Sequence, residues 1–483
     1  MAELAFLPAR GLAALVRRGR IGSLELLDHF IERIERLDPS LNAIVVRDFD
    51  RARKLARALD RKRGKEGGSG PLFGVPVTTK ESYDVAGLPT TWGYEDRRNH
   101  VAASNALAVD RLEAAGAVVF GKTNVPVGLA DWQSYNPIYG VTNNPWNVEH
   151  TPGGSSGGSA AALAAGLTGF EIGSDIGGSI RVPAAFCGVF GHKPTWGLCP
   201  PRGHSLFGAA AMTDISVIGP LARSADDLAL GLGLLAGPDE AETALSQPLP
   251  APRTQSFEGL RVALWCEQPG QETDAEIVAR LKALGTFMRR QGAKLSTSAR
   301  PEFDPEEAFH VYLRLLNAAL SGRMSDETEA SMRDKAARLA HDDMSADAVI
   351  VRAAGMSHRE WLGQNERRHQ IRRAWGIFFQ NWDVLLCPVI GTPALPHRQD
   401  GATWERRLTV NGREIAYNDL LFWPGLTCGF HLPATVAPIG FTKSGLPIGV
   451  QIVGPLYGDR MTIAVAKMLE AEWQGFVPPP GFD

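Results

Sequence analysis

Cysteine is scarce in this chain: Cys187, Cys199, Cys266, Cys387 and Cys428 are the only five among 483 residues, and no C-x-x-C pair occurs. So small and scattered a set supports neither a disulfide framework nor a thiolate zinc site, and suits reduced, buried thiols in a cytoplasmic protein. An excess of charge of one sign is also missing. Fifty basic residues stand against 53 acidic ones, a net charge of −3, which is no electrostatic footprint for nucleic acid. No stretch approaches the roughly 18 uninterrupted apolar residues of a membrane span. At the N-terminus Glu3, Arg10, Arg17, Arg18 and Arg20 break up the apolar residues that a signal peptide would need. The 11 histidines contain no H-E-x-x-H pattern, so neither a metal nor another cofactor is expected.

What is present reads as an α/β protein. Residues 9–37 show two amphipathic helices split at Arg20–Ser23, with Ser23 as the expected N-cap and Pro39 as the stop. A basic helix comes next, over 49–62. Short apolar runs then alternate with helical patterns. Gly74–Thr79 and Ala117–Phe120 read as buried strands around an Asn105–Ala115 helix, and Ser159–Leu167 as a further helix. A later strand set comprises Leu260–Trp265, Asp383–Pro388, Pro433–Ala437 and Gly449–Val453. Leu408–Ile415 turns at Asn411–Gly412, the signal of a two-residue hairpin. Residues 275–380 are mostly helical. Strands on both sides of that block predict one continuous sheet, although Pro248–Pro252 has a linker's composition.

Three glycine-rich motifs compete for the chemistry. Gly116–Thr123 (GAVVFGKT) fits the phosphate-loop pattern, but its middle, Ala117–Phe120, is an apolar strand that cannot wrap an anion, and Pro126 removes an N–H donor from the helix start. Gly153–Gly157 (GGSSG) fits a nucleophile elbow, but the lead-in Asn143–Pro152 has no strand character and no downstream histidine has telling neighbours. In Gly173–Pro183 (GSDIGGSIRVP) two glycines precede Ser179. They let the backbone turn several N–H groups toward one point, which suits an oxyanion hole as well as a tight turn.

Taken together, the motifs resemble the amidase signature family. The resemblance rests on Lys80 closing GVPVTTK, on GKTNVP at 121–126, PGGSSGGSAAA at 152–162, GSDIGGSIRVPAAFCGVFGHKPT at 173–195, GP at 219–220 and GLPIGVQIVGP at 445–455. It runs from about residue 10 to 470, with the two key serines 179 − 155 = 24 positions apart. It implies a large twisted mixed β-sheet flanked by helices, with a mostly helical insertion or cap. One domain over 1–483 is expected, made of N-terminal helices at about 9–63, a catalytic core at about 70–235 and the cap at about 275–380.

By position, Lys80 matches the family's catalytic base, Ser155 its bridging serine in a cis conformation, and Ser179 its nucleophile. Backbone N–H groups of Ile176, Gly177, Gly178 and Ser179 would form the oxyanion hole. Ser156, Asp175 and Arg181 fall on supporting positions, with Asp175 and Arg181 expected to pair. Trp132, Gly153 and Gly154 are expected to touch substrate. The sequence departs from the family's usual wording at Glu81–Ser82 and at His192, and His192 and His204 are expected to be structural. The chemistry stands without the family: a serine hydroxyl needs a base, Ser–Lys pairs are an alternative to Ser–His, and burial favours the neutral lysine such a base must be.

The substrate stays open among alkyl or aryl amides and carbamates. One branch of the family is a glutaminase subunit of tRNA-dependent amidotransferases, which needs partner subunits. Trp196–Ser205 and the region after Pro388 do not read like that branch, so a free-standing hydrolase of a small-molecule amide is expected. Many members dimerise, and a homodimer is admitted. The aromatics Trp132, Tyr135, Phe422 and Trp423 fit either an aryl-binding pocket or the core.

Overall fold

In the computed structural model, described for residues 2–66, 68–205, 209–239, 248–322 and 324–482, two separate sheets replace the single sheet expected. The smaller has three strands in the order Ile44–Arg47, Val118–Thr123, Pro76–Lys80. The larger has eight, in the order 294–296, 261–264, 384–388, 447–453, 434–441, 190–193, 217–222, 171–175. Its first three strands are parallel to one another and the remaining pairs antiparallel. This is the mixed, helix-flanked sheet expected. Early and late strands are interleaved in it: 190–193 pairs with 434–441 across some 240 residues of chain.

The correction concerns Lys80. Its strand lies in the small sheet, as an edge strand, because Pro76–Lys80 pairs only with Val118–Thr123 there. Its free side lies alongside Glu171–Asp175, the edge strand of the large sheet. Two sheet edges therefore meet, both fully buried, and polar side chains cross between them. Such an edge is safe from aggregation because it is covered.

The N-terminal helices occupy Ala9–Arg17 and Ser23–Leu37. Gly22, not Ser23, is the N-cap: the Gly22 N–H donates to the Glu25 carboxylate at 3.2 Å, while the Ser23 hydroxyl donates to the Gly74 carbonyl at 3.3 Å. Asn411 and Gly412 both adopt positive φ, 51° and 78°, the requirement of the two-residue turn between Arg407–Val410 and Arg413–Ala416. The block after residue 274 is helical as expected, with helices at 275–290, 305–321, 326–338, 346–353 and 358–381. The phosphate-loop candidate is refuted by its own geometry, since Val118–Thr123 is extended strand throughout.

The apolar core is one contiguous cluster that takes in the N-terminal helices, both sheets and the later helices. Phe422 and Trp423 belong to it: both are buried and stack edge-on against each other, with Trp265 as a shared neighbour. They are core residues, so they give no support to an aryl-binding pocket.

Candidate active site

Lys80 is fully buried where the two sheet edges meet. Its Nζ donates to Ser155 Oγ at 2.7 Å and to Ser174 Oγ at 2.9 Å. Ser174 comes from the large sheet's edge strand, so the second bond spans the two sheets. Nothing singled it out in the sequence, although its place five residues before Ser179 puts it on the same strand-to-turn segment.

Ser155 lies at the end of a glycine pair, and the Gly154–Ser155 peptide is cis. Gly154 has no alternative: a Cβ there would run into the Asp131 carbonyl and lie 2.8 Å from the Gln133 nitrogen. Ser156 stitches this loop to the other. Its N–H donates to the Ser179 carbonyl at 3.1 Å and its hydroxyl lies 3.4 Å from both the N–H and the carbonyl of Ser174. The structure thus brings Lys80, Ser155 and Ser156 to the segment that carries Ser179. The hydroxyls of Ser155 and Ser179 share no hydrogen bond among the described residues.

Ser179 is buried, 6 % exposed, just before the short helix Arg181–Cys187. Its turn is organised by Asp175. The carboxylate accepts the N–H of Gly178 at 2.8 Å, of Ile180 at 3.1 Å and of Arg181 at 3.4 Å, and it forms a two-pronged pair with the Arg181 guanidinium at 2.9 Å on each oxygen. Both side chains are wholly buried. Burial alone would raise the Asp175 pKa, but the Arg181 charge and these hydrogen bonds hold it well below the usual carboxylate range. Arg181 continues outward to the Pro424 carbonyl, Thr427 Oγ1, Cys428 Sγ and Gln451 Oε1. The Cys428 thiol, pushed up to about 11 by burial, stays neutral and closes the cluster through Asp175 Oδ1 at 3.3 Å.

The oxyanion candidates divide. Gly178, at φ 98°, spends its N–H on Asp175, a correction to the set of four. The N–H groups of Ile176, Gly177 and Ser179 have no acceptor among the described residues. The indole N–H of Trp132 donates to the Gly177 carbonyl at 2.9 Å, and its ring packs at a tilt against Tyr417. Arg406, whose guanidinium is almost fully buried, pairs with Asp131 beside it at 2.6 Å.

The two histidines are structural. His192 lies between Thr435 Oγ1 at 2.8 Å and Asp459 Oδ1 at 3.1 Å, fully buried. His204 meets Ser82 Oγ at 2.9 Å and packs on Tyr83 and Trp92. No cluster of three or more metal-ligating side chains occurs among the described residues, and no described helix is long and apolar enough to cross a membrane. A cavity of about 1740 Å³ lies elsewhere, lined by residues within 197–205 and 209–212 and by the helix 459–472, and includes neither Lys80, Ser155 nor Ser179.

The Amidase family model matches residues 25–463. An acylamidase of Rhodococcus erythropolis is 33% identical over 97% of this chain and 96% of its own length. The A subunit of the glutamyl-tRNA(Gln) amidotransferase of Synechococcus sp. (strain CC9902) is 34% identical over 94% of each chain. The crystal structure of a bacterial aryl acylamidase superposes with a TM-score of 0.81 at 25% identity, covering 96% of each chain. These matches extend along nearly the whole sequence, and the chain belongs to the amidase signature family, whose members are amide hydrolases.

Proposed function

We propose that this chain hydrolyses a carboxylic amide through an acyl-enzyme on Ser179, with Lys80 as the base and Ser155 as the proton relay between them. The observation that carries the reading is the fully buried Lys80 Nζ donating to Ser155 Oγ at 2.7 Å. A lysine taken out of water favours its neutral form, which is the form able to accept a proton.

In this scheme Ser155 passes its proton to Lys80 and takes that of Ser179. The Ser179 oxygen attacks the amide carbonyl and a C–O bond forms. The oxyanion is received by N–H groups of Ile176, Gly177 and Ser179, which have no other acceptor among the described residues. Ser155 gives its proton to the leaving nitrogen and takes its own back from Lys80, the C–N bond breaks and the amine departs, leaving Lys80 neutral for the second half. Water, deprotonated by the same relay, then releases the acid. Ser174 Oγ, at 2.9 Å, is a second hydrogen-bond partner that holds the Lys80 Nζ in place.

The names of the acylamidase relatives support an alkyl or aryl amide as the substrate class. Five buried cysteines without a disulfide support a reducing, cytoplasmic setting, and the contiguous core supports a single domain. A second reading, a glutaminase subunit working with partner chains, is favoured by amidotransferase A subunits being as similar as the acylamidase. A glutaminase assay of the isolated chain, with a search for co-purifying subunits, separates the two.

The mechanism is tested by labelling with a fluorophosphonate. Ser179→Ala abolishes both labelling and amide turnover, Lys80→Ala loses nearly all activity, and Ser155→Ala is severely slowed while still labelled. Surviving label on Ser179→Ala overturns the nucleophile assignment.

A further inference from the structure

Every carbonyl of the turn Ile176–Ser179 is held by a donor. The Val182 N–H donates to the Gly178 carbonyl at 2.7 Å and the Ser156 N–H to that of Ser179 at 3.1 Å. The other two donors are aromatic side chains from distant parts of the chain. Tyr312 Oη donates to the Ile176 carbonyl at 3.2 Å, and Trp132 Nε1 to that of Gly177 at 2.9 Å. In a trans peptide the C=O and the following N–H point in opposite directions. A donor that grips the Ile176 carbonyl therefore aims the Gly177 N–H away from itself, where no protein acceptor meets it among the described residues. The Gly177–Gly178 peptide is fixed at both ends, by Trp132 on its oxygen and by Asp175 on its N–H.

Neither aromatic has room to drift. Tyr312 is fully buried, and its ring lies so close to the helix 422–428 that a Cβ at Gly425 would fall 3.1 Å from its Cγ. Trp132 packs at a tilt against Tyr417 with ring centres 5.3 Å apart, and its carbonyl accepts from Thr151 Oγ1 at 3.3 Å. A locked donor on a carbonyl also polarises that peptide and strengthens its N–H as a donor.

We propose that Trp132 and Tyr312 are positioning residues of the oxyanion hole: Tyr312 aims the Gly177 N–H at the substrate oxygen, and Trp132, with Asp175, fixes the next peptide, from which the chain runs on to the Ser179 N–H. This inference rests on Ser179 being the nucleophile. It places Trp132 behind the reacting centre, not against the substrate, and brings a residue of the helical block, Tyr312, into the catalytic apparatus.

The test is the kinetics of fluorophosphonate labelling in Trp132→Phe and Tyr312→Phe, which keep ring packing and remove one donor each. The phosphoryl oxygen of the probe occupies the same hole. Each variant is expected to lower the maximal labelling rate about three- to tenfold, the range for losing one hydrogen bond to the turn. The half-saturating probe concentration stays within about twofold, and protection by phenylboronic acid weakens in step with the rate. Unchanged rates in both variants overturn the proposal. So does a loss confined to the half-saturating concentration, which would make these residues substrate contacts, and so does a slower rate without weaker boronate protection. The two substitutions act on consecutive peptides of the turn from different parts of the chain, so if one variant fails to fold the other decides. Ser179→Ala is run alongside: label on it defeats the nucleophile reading itself, whereas unlabelled Ser179→Ala with native rates in both aromatic variants defeats only this inference.

Discussion

Two glycine–serine loops of similar composition meet at the site, and they are shaped by opposite means. The loop 153–158 is shaped from outside: main chain of 131–133 presses so closely that no Cβ fits at Gly154, and main chain of Asn124 does the same at Gly158. The loop 176–179 is shaped from within and behind by side chains, with Asp175 taking the Gly178 N–H and Tyr312 and Trp132 holding the carbonyls of Ile176 and Gly177. The first uses glycine for close approach, the second for the φ of 98° at Gly178. A loop that only has to present a side chain can be pinned by packing. One that must present backbone N–H groups has to keep them unspent while every neighbouring polar group is satisfied.

Three experiments break or sharpen that contrast. The largest effect is expected from Arg181→Met, which leaves the Asp175 carboxylate buried without its partner. Stability measured by urea unfolding should fall by about 3–5 kcal/mol, and labelling of Ser179 should disappear with the turn. A native midpoint would mean that the second loop does not depend on its side-chain hub. Gly154→Ala comes next. Its methyl meets fixed main chain, so the loop must open, at about 1–3 kcal/mol and with loss of turnover. Gly177→Ala, whose methyl meets only the Tyr312 hydroxyl and the end of Leu421, at 3.2 and 3.3 Å, should cost less stability than Gly154→Ala; the reverse order would sink the distinction.

A pH-dependent test concerns Glu171, at the start of the edge strand that faces Lys80's sheet. Burial pushes its carboxyl up to about 8 from an ordinary 4.5. The folded state then keeps a proton that the unfolded chain has lost, so stability falls as pH rises from about 4.5 to 8. Glu171→Gln should flatten that slope in thermal melts across this range. An unchanged slope would show that this carboxyl does not titrate differently on folding.

Much of this was legible in the sequence because its signals are local. Glycine pairs, a lysine ending an apolar strand and helical periodicity after residue 274 need only a few neighbours to be read. Asp175 three residues before Gly178 was also a readable turn signal, and it explains why that N–H is spent. What stayed hidden depends on pairing over long distances. Pro76–Lys80 looks the same whether it joins one sheet or another, and only its register with 118–123 decides. Tyr312 reads as one more apolar position of an amphipathic helix. Ser174 is one polar residue in a buried strand, and its facing depends on which edge comes alongside. Phe422 and Trp423 carry no mark that separates a pocket wall from a core.

The reach of Arg181 has a consequence for synthesis. The residue lies two positions after the nucleophile, yet its guanidinium is completed by Thr427, Cys428 and Gln451. A chain emerging from the ribosome displays Lys80, Ser155 and Ser179 long before those partners exist outside the exit tunnel. Until they arrive the turn has its nucleophile but not its outer anchors. A fragment ending before Gln451 would therefore carry every residue of the proposed relay without the full set of partners that Arg181 meets.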